Sequence, residues 1–237
     1  NIAAFAEWAV RGERSRGLLF VGLGTGIGGG YIEDGRILGG RNDMALEIGH
    51  IVVEPHGRPC NCGAEGCSEA YASGPSIGRI ATALGRAEDA ALGTLARAAA
   101  PAASWQGSAL AARALSGELF NAKEVYEAYA AGDPLAIAAD AIASEALARA
   151  ISTALAMLAP DAVVIGGGVL TGAPHLIDRM AELVPRYVYE DAWRHCSFEK
   201  ARLSHKAGLL GAALYGASLV VDRPDLLRLA SRVSGSI

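Results

Sequence analysis

The sequence predicts an α/β fold. Two short apolar runs, at 18–23 and 162–165, suit buried strands. Each run leads directly into a glycine-rich turn, at 24–30 and 166–168, and longer segments between them carry apolar residues at helical spacing. Strands that alternate with helices in this way point to a layered α/β domain rather than to separate all-α and all-β units.

Residues 1–10 read as an amphipathic helix, with Ile2, Phe5, Ala6 and Ala9 on one face. After the strand at 18–23 comes Gly24-Thr25-Gly26-Ile27-Gly28-Gly29-Gly30. Residues 31–33, the turn Asp34-Gly35 and residues 36–38 then read as a β-hairpin. A helix beginning at 74–84 continues irregularly to about 119, with 98–109 as its weakest part and a predicted loop. Asn121 to Glu124 has the form of a capping box opening a helix to 131. Gly132-Asp133-Pro134 closes that helix and starts the next, to about 158, which is apolar nearly all round and therefore expected to be central. Pro160-Asp161 breaks it before the second buried strand. A helix at 174–185, a strand near 198–203 and a helix at 207–220 complete a predicted domain at 1–221, with 222–237 as a tail.

Composition narrows the function classes. The chain has 237 residues, enough for one large domain or two small ones, and 51% of them are apolar. A net charge of −4, with no basic run, argues against nucleic-acid binding through this segment. Charged residues interrupt every helix, so no membrane span is expected. Residues 1–10 carry Glu7 and no basic leader, which is not the pattern of a signal peptide. The cysteine usage points to the cytoplasm.

The most specific motif lies at 46–69. It reads Leu46-Glu47-Ile48-Gly49-His50, then Cys60-Asn61-Cys62-Gly63-Ala64-Glu65-Gly66-Cys67-Ser68-Glu69. Three of the four cysteines fall within eight residues, with a histidine ten residues upstream. Thiolates and an imidazole together suit tetrahedral zinc, and four protein ligands leave no open position, so a structural ion held by His50, Cys60, Cys62 and Cys67 is expected. Gly63 and Gly66 permit the tight loop that returns Cys67 to the cluster. Three free buried cysteines, or one disulfide and a spare, are the plainer alternatives. The glycine loops are less specific. Gly24-Thr25-Gly26 can bring backbone N–H groups and a hydroxyl close to a phosphate, or can simply permit a hairpin. It is neither a P-loop nor a dinucleotide fingerprint. Gly166-Gly167-Gly168 lies where open α/β sheets bind ligands, or is a plain strand-to-helix turn.

Together these segments resemble the ROK family (repressors, open reading frames and sugar kinases). The resemblance rests on Gly24-Thr25-Gly26-Ile27-Gly28-Gly29-Gly30, Glu47-Ile48-Gly49-His50, the cysteine cluster with Glu69, and Ile165-Gly166-Gly167-Gly168-Val169. Gly132-Asp133-Pro134 and Lys206 to Ala212 are further landmarks, and the likeness runs from Asn1 to about Leu219. Within the family the chain looks most like bacterial glucokinase-type members. The resemblance implies an actin-like ATPase (ribonuclease H-like) fold, of which this chain is the C-terminal domain. It implies ATP-dependent phosphorylation of a hexose, with ATP and Mg²⁺ as co-substrate and a dimer or tetramer as the assembly. By motif match Asn1, Glu47, His50 and Glu69 would contact the sugar, His50 while its other ring nitrogen holds zinc. Gly24, Thr25, Gly26, Gly166, Gly167 and Gly168 would lie along the nucleotide. His56 has no counterpart in the motif and reads as a solvated loop residue.

Two departures from the family pattern qualify these expectations. Asn1 and Glu7 match the second Asn and the Glu of the family's Asn-Asp-x-Asn-x5-Glu helix, which places the catalytic Asp two residues before Asn1. The chain therefore reads as part of a longer protein, with no catalytic residue of its own and no phosphoryl transfer expected from it alone. Leu46 stands where many relatives have glycine, and its bulk would narrow the sugar pocket. A sugar-responsive repressor of the same family, with its DNA-binding segment elsewhere, is the rival reading; a non-catalytic zinc-stabilised binding module is a third.

Overall fold

The computed structural model describes residues 1–12, 16–88, 92–99, 105, 107–203 and 206–234. At its centre is a mixed sheet of five strands: β1 (Gly17–Leu23), β2 (Ile27–Glu33), β3 (Arg36–Ile37), β4 (Ala162–Gly166) and β5 (Ser197–Lys200), in the spatial order β3-β2-β1-β4-β5. β1 pairs antiparallel with β2 and parallel with β4, and β4 pairs parallel with β5. β1 and β4 are the central pair and are apolar on both faces, as strands covered on two sides must be.

The alternation of side chains along these strands sorts the helices into two layers. Leu18 and Val164 face one way and meet Phe5 and Trp8 of α1 (Ile2–Arg11), with Leu214 of α11 (Ala207–Ser218) and Leu226 of α12 (Arg223–Ser234). Leu19, Val21, Val163 and Ile165 face the other way into the larger core. That core is built around α7 (Pro134–Leu158), with α2 (Glu69–Ala72), α3 (Gly74–Arg86), α4 (Gly93–Ala99), α5 (Ala109–Leu115), α6 (Ala122–Ala130), α8 (Val169–Gly172), α9 (Leu176–Leu183) and α10 (Glu190–Trp193).

Local chemistry explains the boundaries. Asn121 and Glu124 form the full reciprocal capping box at α6, at 3.1 and 3.0 Å. The buried carboxylate of Asp133 accepts from the N–H groups of Leu135 and Ala136, opening α7, and from Ser108 Oγ and Leu110 N, tying α5 to it. Burial raises the Asp133 pKa, but these hydrogen bonds outweigh it and hold the carboxyl below its usual range. Asp34 and Gly35 both have positive φ in the β2–β3 turn, the type I′ geometry favoured in two-residue hairpins.

The structure corrects two expectations. Residues 223–234 are not a tail: Leu226 and Ala230 are buried against α1, and the Arg223 guanidinium lies 5.3 Å over the Trp8 ring. The segment's few apolar residues hid the helix, because its buried stripe is narrow. Second, the premise that charged residues interrupt every helix does not hold for α7, which is long and apolar enough to cross a membrane by length and composition alone, although most of it is buried inside the fold. Its charges, Asp140, Glu145 and Arg149, are too sparse to interrupt the run. The predicted loop at 98–109 lies partly outside the described residues; within it, α4 extends to Ala99 and α5 begins at Ala109.

Candidate functional site

The site is assembled where β1 ends. The turn Gly24-Thr25-Gly26 reverses the chain from β1 into β2, closed by a bond from Gly24 N to Gly26 O at 2.9 Å. Ile27 to Gly30, which the sequence placed in the glycine loop, are already strand β2. The glycines there let other segments come close. A β-carbon at Gly29 would stand 2.4 Å from the Leu46 carbonyl oxygen, and one at Gly30 would stand 3.0 Å from Asn1 Cα. Asn1 and the 46–50 segment therefore converge on the same strand, with Asn1 Nδ2 donating to Asp43 O at 2.9 Å. Leu46 adopts φ 67°, the left-handed region, and its side chain packs against the larger core. This accounts for the fit of glycine at that position: an L-side chain there carries backbone strain.

The predicted metal ligands are brought together. Ile48–His50 is a single 3₁₀ turn, and Ser68 Oγ donates to the carbonyls of Ile48 and Gly49 at 3.0 and 3.1 Å. Short antiparallel bridges, Val52 with Cys67 and Pro59 with Glu65, fold the loop back on itself. One ligand atom from each of His50, Cys60, Cys62 and Cys67 lies within 4.8 Å of all the others. Cys62 Sγ is 3.7 Å from Cys67 Sγ, and Cys60 Sγ is 3.7 Å from His50 Nδ1. A tetrahedral zinc with Zn–S bonds of about 2.3 Å has S···S edges of about 3.8 Å, so the donor spacing fits that ion. A cation would favour the thiolate forms, which the bare cluster does not uniformly favour. Burial, reinforced by its neighbouring thiols, pushes Cys67 up to about 12, while the Ala64 N–H and the Cys60 thiol lower exposed Cys62. Three thiolates in this volume would repel one another without a positive ion among them.

Glu47 is exposed, and His50 and Glu69 are half-buried. Glu69 follows Cys67 by two residues, and its Oε2 accepts the Ile27 N–H at 2.8 Å. The carboxylate thus lies against the turn that opens the glycine strand. Glu7, by contrast, is a brace. It is fully buried, pairs with Arg11, and accepts the N–H groups of Arg202 and Leu203.

On the other side of the turn is a cleft of about 1270 Å³, ample for a nucleotide. Gly24, Thr25 and Gly168 line it; Gly26, Gly166 and Gly167 do not. Gly167 has φ 100°, and a β-carbon there would stand 2.1 Å from Leu23 O, so its role is the close packing of the second glycine turn on β1. The remaining lining, including Arg79 of α3 and Lys123 and Tyr126 of α6, was not found from the sequence. These residues sit in ordinary amphipathic helices, and no local motif marks them.

Comparison with known proteins follows this geometry. A family model described as the ROK family matches residues 1–217. The chain belongs to the ROK family. It is 36% identical over 213 residues to a glucokinase of Halalkalibacterium halodurans, covering 89% of this chain and 59% of that protein. It is 32% identical over 212 residues to an N-acetylmannosamine kinase of Citrobacter koseri, covering 90% and 61%. Among solved structures it is similar to a ROK hexokinase of Thermus thermophilus (TM-score 0.69, 30% identity, 90% of this chain and 61% of that one). It is also similar to a ROK glucokinase of Streptomyces griseus in complex with glucose and AMPPNP (TM-score 0.67, 29% identity, 90% and 65%). A ROK transcriptional regulator, a homologue of the E. coli MLC protein, is similar as well (TM-score 0.73, 26% identity, 97% and 52%). The fold is the actin-like ATPase fold of the ROK sugar kinases. The chain spans about three fifths of the length of the curated relatives it matches.

Proposed function

We propose that this chain is the hexose-recognition and nucleotide-binding part of an ATP-dependent hexose kinase. The reading rests on one contact above all. Glu69, on the sugar side by motif, accepts the Ile27 N–H beside the Gly24-Thr25-Gly26 turn that borders the nucleotide cleft. A hexose held by Asn1, Glu47, His50 and Glu69 then has its reacting hydroxyl near the terminal phosphate of Mg-ATP held along Gly24, Thr25 and Gly168.

In the whole protein a carboxylate base preceding Asn1 takes the hydroxyl proton. The hydroxyl oxygen bonds to the γ-phosphorus as the bond to the ADP oxygen breaks, leaving hexose phosphate and ADP. Positioning dominates such a transfer. Zinc on His50, Cys60, Cys62 and Cys67 supplies charge balance and rigidity to a loop with little core of its own. His50 turns Nδ1 toward the thiols, which leaves Nε2 for a sugar hydroxyl. The assembly is a homo-oligomer in the cytoplasm.

The repressor reading keeps one specific support, the structural likeness to the MLC-type regulator across 97% of this chain. Two experiments test the proposal. Glucose and N-acetylmannosamine are titrated calorimetrically into the zinc-loaded chain, with binding of one of them expected. The full-length protein is assayed for ATP-dependent hexose phosphorylation. Absence of hexose binding defeats the site assignment; hexose binding without phosphorylation by the full-length protein supports the repressor.

A further inference from the structure

α7 is an apolar core helix with a carboxylate deep in it. Asp140 is 4% exposed. A buried carboxylate costs several kcal/mol unless it is paired. Its partner is His175, whose Nε2 lies 3.0 Å from Asp140 Oδ1. No motif covers either residue, and the sugar and metal sites use neither.

Their position gives the pair a task. His175 caps α9 and follows the last residue of α8, Gly172, by three positions. Its ring stacks flat on Tyr129 of α6, with centroids 4.4 Å apart and planes 5° apart. Tyr126, also on α6, meets the same ring edge-on at 6.0 Å. Tyr126 lines the nucleotide cleft from one wall, and Val169, Thr171 and Gly172 of α8 line it from the other. A β-carbon at Gly172 would already touch Tyr126 Cβ, at 3.1 Å, so the two walls meet behind the cleft. His175 is thus the residue through which α8 and α9 are tied to α6 by ring contact and to α7 by a polar bond.

We propose that Asp140 and His175 form a positioning pair that sets the spacing of the α6 and α8 walls and so tunes nucleotide affinity. The proposal rests on the nucleotide-binding reading of the cleft.

The test is calorimetric titration of AMPPNP, and in parallel of the hexose that binds, into the zinc-loaded chain. His175→Ala is expected to weaken AMPPNP binding roughly fivefold, the scale of one net hydrogen bond, with hexose affinity unchanged. His175→Gln, whose side-chain N–H can still reach Asp140, is expected to restore most of that loss. Asp140→Asn keeps the volume and removes the charge from the bond to His175, so its AMPPNP affinity is expected to fall about two- to threefold with hexose affinity unchanged. This variant carries the test if His175→Ala does not fold. Wild-type AMPPNP affinity in the variants overturns the proposal and leaves the cleft assignment standing. Equal losses of hexose and AMPPNP affinity with a lower Tm overturn it in favour of a purely structural pair. Failure of the wild-type chain to bind AMPPNP overturns the cleft reading and this inference with it.

Discussion

Glu69→Gln separates the anchor that the structure shows on this carboxylate from the hexose contact proposed for it. Oε2 accepts the Ile27 N–H at 2.8 Å, and Ile27 is 3% exposed, so that donor has no water to turn to. Glutamine keeps a carbonyl oxygen for Ile27 and offers its amide where the free carboxylate oxygen faces the hexose. The anchor survives, and only the charge toward the sugar is lost. A hydrogen bond to a charged group contributes about 1.5–3 kcal/mol against about 0.5–1.5 for a neutral one. The difference, about 1–1.5 kcal/mol, corresponds to roughly a five- to tenfold rise in hexose Kd, with AMPPNP affinity unchanged. Glu69→Ala removes the anchor as well. It leaves a buried N–H unpaired beside the Gly24-Thr25-Gly26 turn, at a cost of about 1–3 kcal/mol, and should weaken both ligands. Calorimetry with each ligand in turn reads the two variants. Hexose affinity within twofold of wild type in Glu69→Gln refutes the reasoning, because the carboxylate then does not meet the sugar.

Other outcomes follow from the same structure. Elemental analysis should find one zinc per chain in the wild type and none in Cys67→Ser, with hexose binding lost alongside the ion; hexose binding at full strength in a zinc-free variant would separate the loop from the sugar. Gly167→Ala should destabilise the fold by about 1–3 kcal/mol in urea denaturation, since φ is 100° and the added carbon would meet Leu23 O at 2.1 Å; an unchanged midpoint contradicts this. The Asp133 carboxyl is held below its unfolded value, so its stabilisation is full above about pH 4 and is lost as pH falls through the folded value. Acid unfolding of Asp133→Asn should therefore be flatter than that of wild type below about pH 4, and parallel curves would show that the carboxylate contributes nothing there.

Elements whose signal is local were legible in the sequence. The capping box at Asn121, the Asp133-Pro134 start of α7 and the two buried strands all fell within about a turn of their predicted places, because each depends on neighbours in the chain. The α12 helix was missed because only its contact with α1 gives its narrow apolar stripe a partner. The six predicted nucleotide-side residues divided for a similar reason. Glycine marks a close approach but does not say what approaches: at Gly24 and Gly168 it is an open cleft, and at Gly167 it is the Leu23 carbonyl.

The sequence by itself determined the family, the α/β class and which four side chains are candidate metal donors, since the cysteine spacing and glycine turns are chemistry written along the chain. Only the tertiary structure decided how these parts meet. It placed Glu69 against Ile27, brought the 46–50 segment and Asn1 onto the glycine strand, and set Asp140 opposite His175 behind the cleft. Each of these contacts joins residues more than thirty positions apart or on separate elements, or both. Their distances depend on the packing of the sheet between its helical layers, which no local pattern encodes.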